Sequence, residues 1–359
     1  MNILYIVDRP PNLAGIQVTT SNRIKALRKN KINAEVIFFE RGNAEYLFND
    51  IPHYFIENKN QFYNHLSKKS YDIISYIYSL KYIDTIPKKF KGKIVFEIRG
   101  WSSSVTNVLE QIKKSNRVNA IICIANYIKP LVEKRVKNIP VYVDLNFVPD
   151  KFSSNNNETN DNIPIPKKGY KVIGYVGRVM STKNWKEWVD ICGLLNKDQN
   201  IELWVISNVA TCEVYNRIDL LQNRCKELGI KKENIKIIPQ IPNDLMPSLY
   251  LTIGKSGGCI LSTSPSEGLG NHVLEPMACS CPVVSSNRPG KNEIINHSFN
   301  GLLYKLGDID GAVEQLSNLL TNDSFRKKII KNALKEIEEK YRSESYVKRF
   351  LEIISNIRS

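Results

Sequence analysis

The chain has 359 residues, 42% of them hydrophobic and 24% charged, an ordinary balance for soluble globular domains and enough length for two domains with separate cores. Its net charge is +15, and residues 1–150 hold 23 Lys and Arg against 13 Asp and Glu, so the first half is the basic half and an anionic acceptor, an anionic membrane surface or nucleic acid become its candidate partners. No run approaches the ~20 apolar residues of a membrane span, the apolar start MNILYIV is too short for a secretory leader, and seven cysteines without a CxxC pair read as reduced packing residues of a cytoplasmic protein.

Residues 2–8 read as a buried first strand. A loop with Pro10, Pro11 and Gly15 follows, then a helix over 17–29 with Val18, Ile24 and Leu27 on its inner side, then a strand over 34–39. Strand, glycine-containing loop, helix and strand form the opening of a doubly wound sheet. The alternation continues through strands at 73–78, 94–98, 120–124 and 141–143. At Phe96-Glu97-Ile98-Arg99-Gly100-Trp101 a strand end brings an arginine, a glycine and an indole together where open α/β sheets bind ligands. Arg99 there either meets an anion or pairs locally with Glu97.

Residues 153–169, SSNNNETNDNIPIPKKG, lose all apolar periodicity and read as a linker between a domain over 1–152 and a second over 170–340. The second domain restarts with an apolar strand over 171–176 that ends in Gly177-Arg178. Lys183 follows before an amphipathic helix with Trp185, Trp188, Val189, Ile191 and Leu194. An arginine and a lysine five positions apart at a strand end can place two cations on one pyrophosphate, the first as a fork of donors, the second as a mobile point charge. Further strands are expected at 203–206, 235–238 and 259–261, and after residue 303 the chain reads as helical to its end.

Residues 256–290, SGGCILSTSPSEGLGNHVLEPMACSCPVVSSNRPG, combine strand, loop, helix and strand. The glycines of Glu267-Gly268-Leu269-Gly270 allow close approach of backbone to a ligand, and the loop ends at a helix start near Asn271, where N–H groups and the helix dipole favour an anion. Glu267 on the loop and Glu275 in the helix can both accept hydrogen bonds from sugar hydroxyls.

This stretch, followed by Pro282-Val283-Val284, resembles the donor-site signature of the large retaining glycosyltransferase family of the GT-B fold, which includes sucrose synthase and bacterial phosphatidylinositol mannosyltransferases. The resemblance implies two Rossmann-like α/β domains with doubly wound parallel sheets facing a cleft, and a terminal helix over 341–359 that crosses back to the first domain. It implies that Glu267 lies by the donor sugar, that Glu275 holds the ribose, and that the backbone of Gly268, Leu269, Gly270 and Asn271 meets donor sugar and phosphates. Arg178 and Lys183 then neutralise the leaving diphosphate, Gly15 sits on a loop over the reaction centre, and Arg99 contacts the phosphates or an anionic acceptor. The chain departs from the pattern at Cys281 and Asn184, where glycine is usual, at His272, where a small or apolar residue is usual, and at Ser207-Asn208-Val209-Ala210, where relatives carry a glycine-rich turn.

Only four histidines occur, without zinc spacing, and Asp308-Ile309-Asp310 fits a helix N-cap better than a cation site. Nucleic-acid modules are absent, so charge alone speaks for that partner, and none is expected. The reading is therefore a retaining, metal-independent transfer of a sugar from a nucleotide-diphosphate sugar, a UDP-sugar first among donors, without cofactor. The acceptor is expected to be an anionic or lipid-linked glycan in cell-envelope or surface glycan synthesis, and the protein is expected in the cytoplasm, in peripheral contact with the inner face of an anionic membrane. A sugar-nucleotide epimerase of the same fold and a catalytically silent binding partner stay open as alternatives.

Overall fold

The computed structural model describes residues 1–12, 14–155, 162–207, 212–239 and 241–358. The chain forms two compact units, Met1–Phe147 with Ser343–Ser359, and Val148–Arg342. Asn208, Val209 and Ala210, and residues 156–161 of the expected linker, lie outside the described residues.

The first unit contains, in chain order, β1 (Asn2–Val7), α1 (Gly15–Lys29), β2 (Asn33–Phe38), β3 (His53–Phe55), α2 (Lys59–Ser67), β4 (Ile73–Ile77), β5 (Lys93–Ile98), α3 (Ser103–Ser115), β6 (Ala120–Cys123), α4 (Ile128–Glu133) and β7 (Val141–Val143). Its sheet runs β3-β2-β1-β4-β5-β6-β7 with every pairing parallel. Both faces of such a sheet are covered, which is why β1 is a continuous apolar run, NILYIV, with Ile3 to Val7 all fully buried.

The second unit contains β8 (Lys171–Val176), α5 (Trp185–Leu195), β9 (Ile201–Ser207), α6 (Cys212–Glu227), β10 (Ile235–Pro239), α7 (Met246–Lys255), β11 (Cys259–Ser262), α8 (Asn271–Ala278), β12 (Val283–Ser286), β13 (Leu302–Tyr304), α9 (Ile309–Thr321) and α10 (Asp323–Lys340). Its all-parallel sheet runs β10-β9-β8-β11-β12-β13. Trp188, Val189 and Ile191 of α5 pack with Ile173, Leu203 and Leu261 in its core. The Asp308 carboxylate accepts from the Gly311 N–H at 3.0 Å and caps α9, which is the role its place before an amphipathic helix suggests.

The segment after Phe147 joins the second unit through its own contacts: the Val148 N–H donates to the Tyr341 carbonyl at 2.7 Å, Arg342 Nη1 to the Phe152 carbonyl at 2.9 Å, and the rings of Phe152 and Tyr250 lie 6.3 Å apart. The last helix, α11 (Ser343–Arg358), belongs to the first unit. Its Tyr346, Phe350, Ile354 and Ile357 complete the core that holds Ile3, Tyr5, Ile24 and Leu27.

Two parallel α/β sheets in sequence agree with the GT-B expectation. The strands β3 and β13 were not expected; each has three residues, too few for a period-2 pattern to show, and pairing with a neighbour at the sheet edge is what makes them strands.

Candidate functional site

In the second sheet the strand order reverses at β8, which lies between β9 and β11. Open α/β sheets bind ligands outside the carboxyl ends of strands at such a switch point. The carboxyl end of β8 delivers Gly177, Arg178 and Lys183, and that of β11 delivers the loop with Glu267. Stretches that lie 84 residues apart in the chain therefore share one end of one sheet.

Turn chemistry holds the first of these stretches. The Tyr175 hydroxyl donates to the Arg178 carbonyl at 2.8 Å, and Asn184 takes a left-handed conformation, φ 52°, before α5. Asparagine tolerates that conformation better than other side chains, which accounts for its standing where glycine is usual. Its amide donates to Glu187 at 2.6 Å. The Thr263 hydroxyl, just beyond β11, lies 3.0 Å from the carbonyls of both Lys183 and Asn184 and ties the two strand ends together. The Arg178 side chain is exposed.

Lys183 Nζ meets Glu267 Oε1 at 2.5 Å, with the two side chains 24% and 14% exposed. His272 Nε2 lies 3.8 Å from the same oxygen and 2.9 Å from the Ser262 hydroxyl. Burial pushes the Glu267 carboxyl up, but His272, Lys183 and Ser264 together bring it down to about 2. Burial lowers His272 to about 4, so the imidazole is neutral near pH 7 and Lys183 is the group that keeps Glu267 ionised there. Glu275, buried inside α8, behaves differently. Burial raises its carboxyl to about 7, opposed by Lys151 and by the Tyr250 hydroxyl, which donates to it at 3.3 Å. Two carboxylates flank one helix start, one fixed as an anion and one titrating near neutrality, and both present acceptors of the kind sugar hydroxyls need.

The helix start is formed by Gly270, with φ 68° before Asn271. Leu269, between the two glycines, is buried. Cys281 is buried under α8. Behind the loop, the chain after β12 passes so close that a Cβ on Gly290 would lie 2.6 Å from the carbonyl oxygens of Glu267 and Gly268, at φ +85°. Gly290→Ala should therefore push the glycine loop away and weaken UDP binding by roughly tenfold, about 1.4 kcal/mol out of the ~1–3 kcal/mol that such backbone strain costs. Calorimetric titration with UDP measures this.

Two sequence-derived candidates lie in the first unit. Gly15 opens α1, exposed, with no atom within 4 Å of where its Cβ would be. Arg99 follows β5 with its side chain 3% exposed and its guanidinium paired with Glu97, in a buried group that includes Arg23, Asp144, Tyr5 and Tyr346.

Lys291 was not a candidate from the sequence. It is fully buried, with Nζ 2.5 Å from both the Ser264 carbonyl and the Ser286 hydroxyl, and its stem passes beneath Gly270. Lysine is normally a surface residue, so nothing in the local pattern marks it; only its burial in the folded chain, against Ser264 and Ser286, reveals it. Among the described residues no group of three or more His, Cys, Asp or Glu could hold a metal ion.

The family model "Glycosyl transferases group 1" matches residues 156–336, which include both cations, the glycine loop and Glu275. A capsular polysaccharide biosynthesis glycosyltransferase, CapM of Staphylococcus aureus, is 24% identical over 196 residues, 54% of this chain and 48% of the relative. An Escherichia coli UDP-Gal:alpha-D-GlcNAc-diphosphoundecaprenol alpha-1,3-galactosyltransferase is 24% identical over 92% of this chain and 91% of its own length. The chain spans about half the length of several other curated relatives it matches, such as 44% of an uncharacterized glycosyltransferase of Methanocaldococcus jannaschii that is 30% identical to it. Among solved structures, Anabaena HepE in complex with UDP superposes with a TM-score of 0.81 at 16% identity, over 99% of this chain and 100% of that one. A glycosyltransferase from Rickettsia africae superposes with a TM-score of 0.82, also at 16% identity, over 99% and 98%. The solved structures share the fold over essentially the whole chain, and with the family model covering half of it, Arg178, Lys183 and the glycine loop included, this chain belongs to the glycosyl transferases group 1 family.

Proposed function

We propose that the protein transfers a sugar from a nucleotide-diphosphate sugar, with a UDP-sugar as first choice, to a hydroxyl acceptor, with retention at the anomeric carbon and without a metal ion. The observation that carries this reading is the contact of Lys183 with Glu267 beside the Gly270 turn. It puts a cation, a fixed carboxylate and a helix start at one end of the sheet. Breaking the anomeric bond leaves negative charge on the diphosphate and positive charge on the sugar. Lys183, Arg178 and the helix start would meet the first, and ionised Glu267 the second. Glu275 would accept from the ribose hydroxyls. Fixed cations of the chain do here what a bound divalent ion does in other transferases.

The relatives' names support cell-surface glycan synthesis: capsular polysaccharide in one, a poly(ribitol-phosphate) alpha-N-acetylglucosaminyltransferase of Staphylococcus aureus in another. The basic first 150 residues suit an anionic or lipid-linked glycan acceptor and peripheral contact with an anionic membrane. No helix among the described residues is long and apolar enough to cross a membrane.

The test is incubation with UDP-, GDP-, ADP- and TDP-sugars, following release of nucleoside diphosphate and, by NMR, the anomeric configuration of the product, with and without EDTA. Release that EDTA leaves unchanged, with retention, is expected. Donor turnover without release of diphosphate would point to an epimerase. Binding with neither would point to a silent partner protein. Vesicles with anionic headgroups, titrated with salt, check the membrane contact, which should weaken as salt screens it.

A further inference from the structure

Lys291 is out of place as a structural residue. Its side chain is fully buried, and moving an ammonium out of water costs stability unless a carboxylate pairs with it. Lys291 has no such pair among the described residues; its two contacts are the neutral Ser264 carbonyl and Ser286 hydroxyl. Those partners do not need it. The Ser286 hydroxyl itself donates to the Ser264 carbonyl at 2.8 Å, so both oxygens keep a hydrogen bond if the amine is removed. The fold would lose little to a methionine of similar length here, so the amine contributes something other than stability.

Its position says what. The stem runs within 3.8 Å of where a Gly270 Cβ would lie, underneath the turn that starts α8. The titratable and charged groups facing it are Glu267 on the donor loop, Lys183 after β8, Glu187 on α5, Arg288 on its own loop and His272 on α8. Burial is the main reason its amine falls to about 7, with Glu267 and Glu187 opposing and Lys183 and Arg288 assisting. An anion arriving at the turn would add to the side that favours the proton.

We infer that Lys291 is a positioning residue for the donor, a buried amine that takes a proton from solvent when a nucleoside diphosphate settles on the glycine turn and so supplies a further cation from beneath. This rests on the nucleotide-sugar reading of the same site. The diphosphate reaches the backbone of the turn and the amine lies behind it, so the lysine acts through charge and through the loop it braces.

The experiment is UDP titration calorimetry from pH 6 to 9 on wild type, Lys291→Met and Lys291→Arg, with thermal melts of each. In the wild type, affinity should fall with rising pH above about 7, by up to about tenfold per pH unit. Lys291→Met should bind about tenfold more weakly below pH 7 and lack the part of the slope due to this amine, while melting at or above the wild-type temperature. The sign follows from linkage. An amine held below its unfolded-state pKa penalises the folded state fully below pH 7, and the penalty fades as pH rises toward 10. Lys291→Arg, charged throughout, should bind UDP more tightly than wild type at pH 9. A methionine variant that melts well below wild type assigns the lysine to the fold and overturns the inference. So does one whose affinity and pH slope match the wild type. A wild type that binds none of UDP, GDP, ADP or TDP would instead overturn the donor-site reading itself.

Discussion

Lys183→Ala is expected to slow diphosphate release by about 100- to 1,000-fold, the loss seen when one preorganised group that stabilises transition-state charge is removed. Two effects add. The diphosphate would lose a cation aimed at the charge it develops, and Glu267 loses the partner 2.5 Å away that, with His272 and Ser264, holds its buried carboxyl down to about 2. The neutral His272 offers no charge in compensation near pH 7. Without Lys183 the Glu267 carboxyl must rise, so residual activity should also fall at acidic pH as Glu267 takes up a proton, whereas the wild type keeps it ionised. Initial rates against pH for both proteins measure this. Arg178→Ala should also reduce release, with less change in melting temperature, because its exposed side chain carries no packing. Near-normal release by both variants would refute the assignment of the cations.

Arg23→Met should destabilise the first unit by about 3–5 kcal/mol, the cost of stranding buried charge by removing one partner. Arg23 is 1% exposed. Nη1 meets Asp144 Oδ2 at 2.7 Å, and Nη2 donates to the carbonyl of Asp144 at 2.8 Å and that of Leu145 at 3.3 Å. The guanidinium also lies 4.8 Å from the ring centroid of Tyr346, on α11. Methionine fills much of the space and leaves Asp144, which is fully buried, with Arg349 at 3.7 Å as its remaining ion-pair partner. Hydrogen exchange should show α11 losing protection before the sheet does, because Arg23 joins α1 to residues 144–146 and to the Tyr346 ring of α11, leaving the Arg349–Asp144 pair to hold the helix by charge. A melt unchanged from wild type would mean that apolar packing of Phe350, Ile354 and Ile357 holds α11 alone.

The glycine turn before α8, the strand end that carries Arg178 and the alternation of strands and helices were legible because each is written locally. Buried parallel strands are short apolar runs, a glycine turn before an amphipathic stretch marks a helix start, and the five-residue step from Arg178 to Lys183 lies within one loop. The helix cap at Asp308 was legible for the same reason. Asn184 shows the limit of resemblance alone. Glycine is usual there, and the left-handed backbone at φ 52° is one that asparagine also tolerates. The three-residue strands β3 and β13 were not legible, since a segment that short becomes a strand only by being paired.

Taken by itself, the sequence determined that this protein has two α/β sheets and which loops carry glycine, acid and base, because hydrophobic period and turn residues act over a few positions. Only the tertiary structure decided that Lys183 and Glu267 meet, through the reversal of strand order that sets β8 beside β11. It also decided that Arg23 is buried against Asp144 and that Lys291 is buried beside the Gly270 turn. The physical reason is that a charged side chain looks the same in sequence whether it faces water or the interior. Its burial, partner and protonation are set by segments dozens of residues away, and these come together only when the sheet forms.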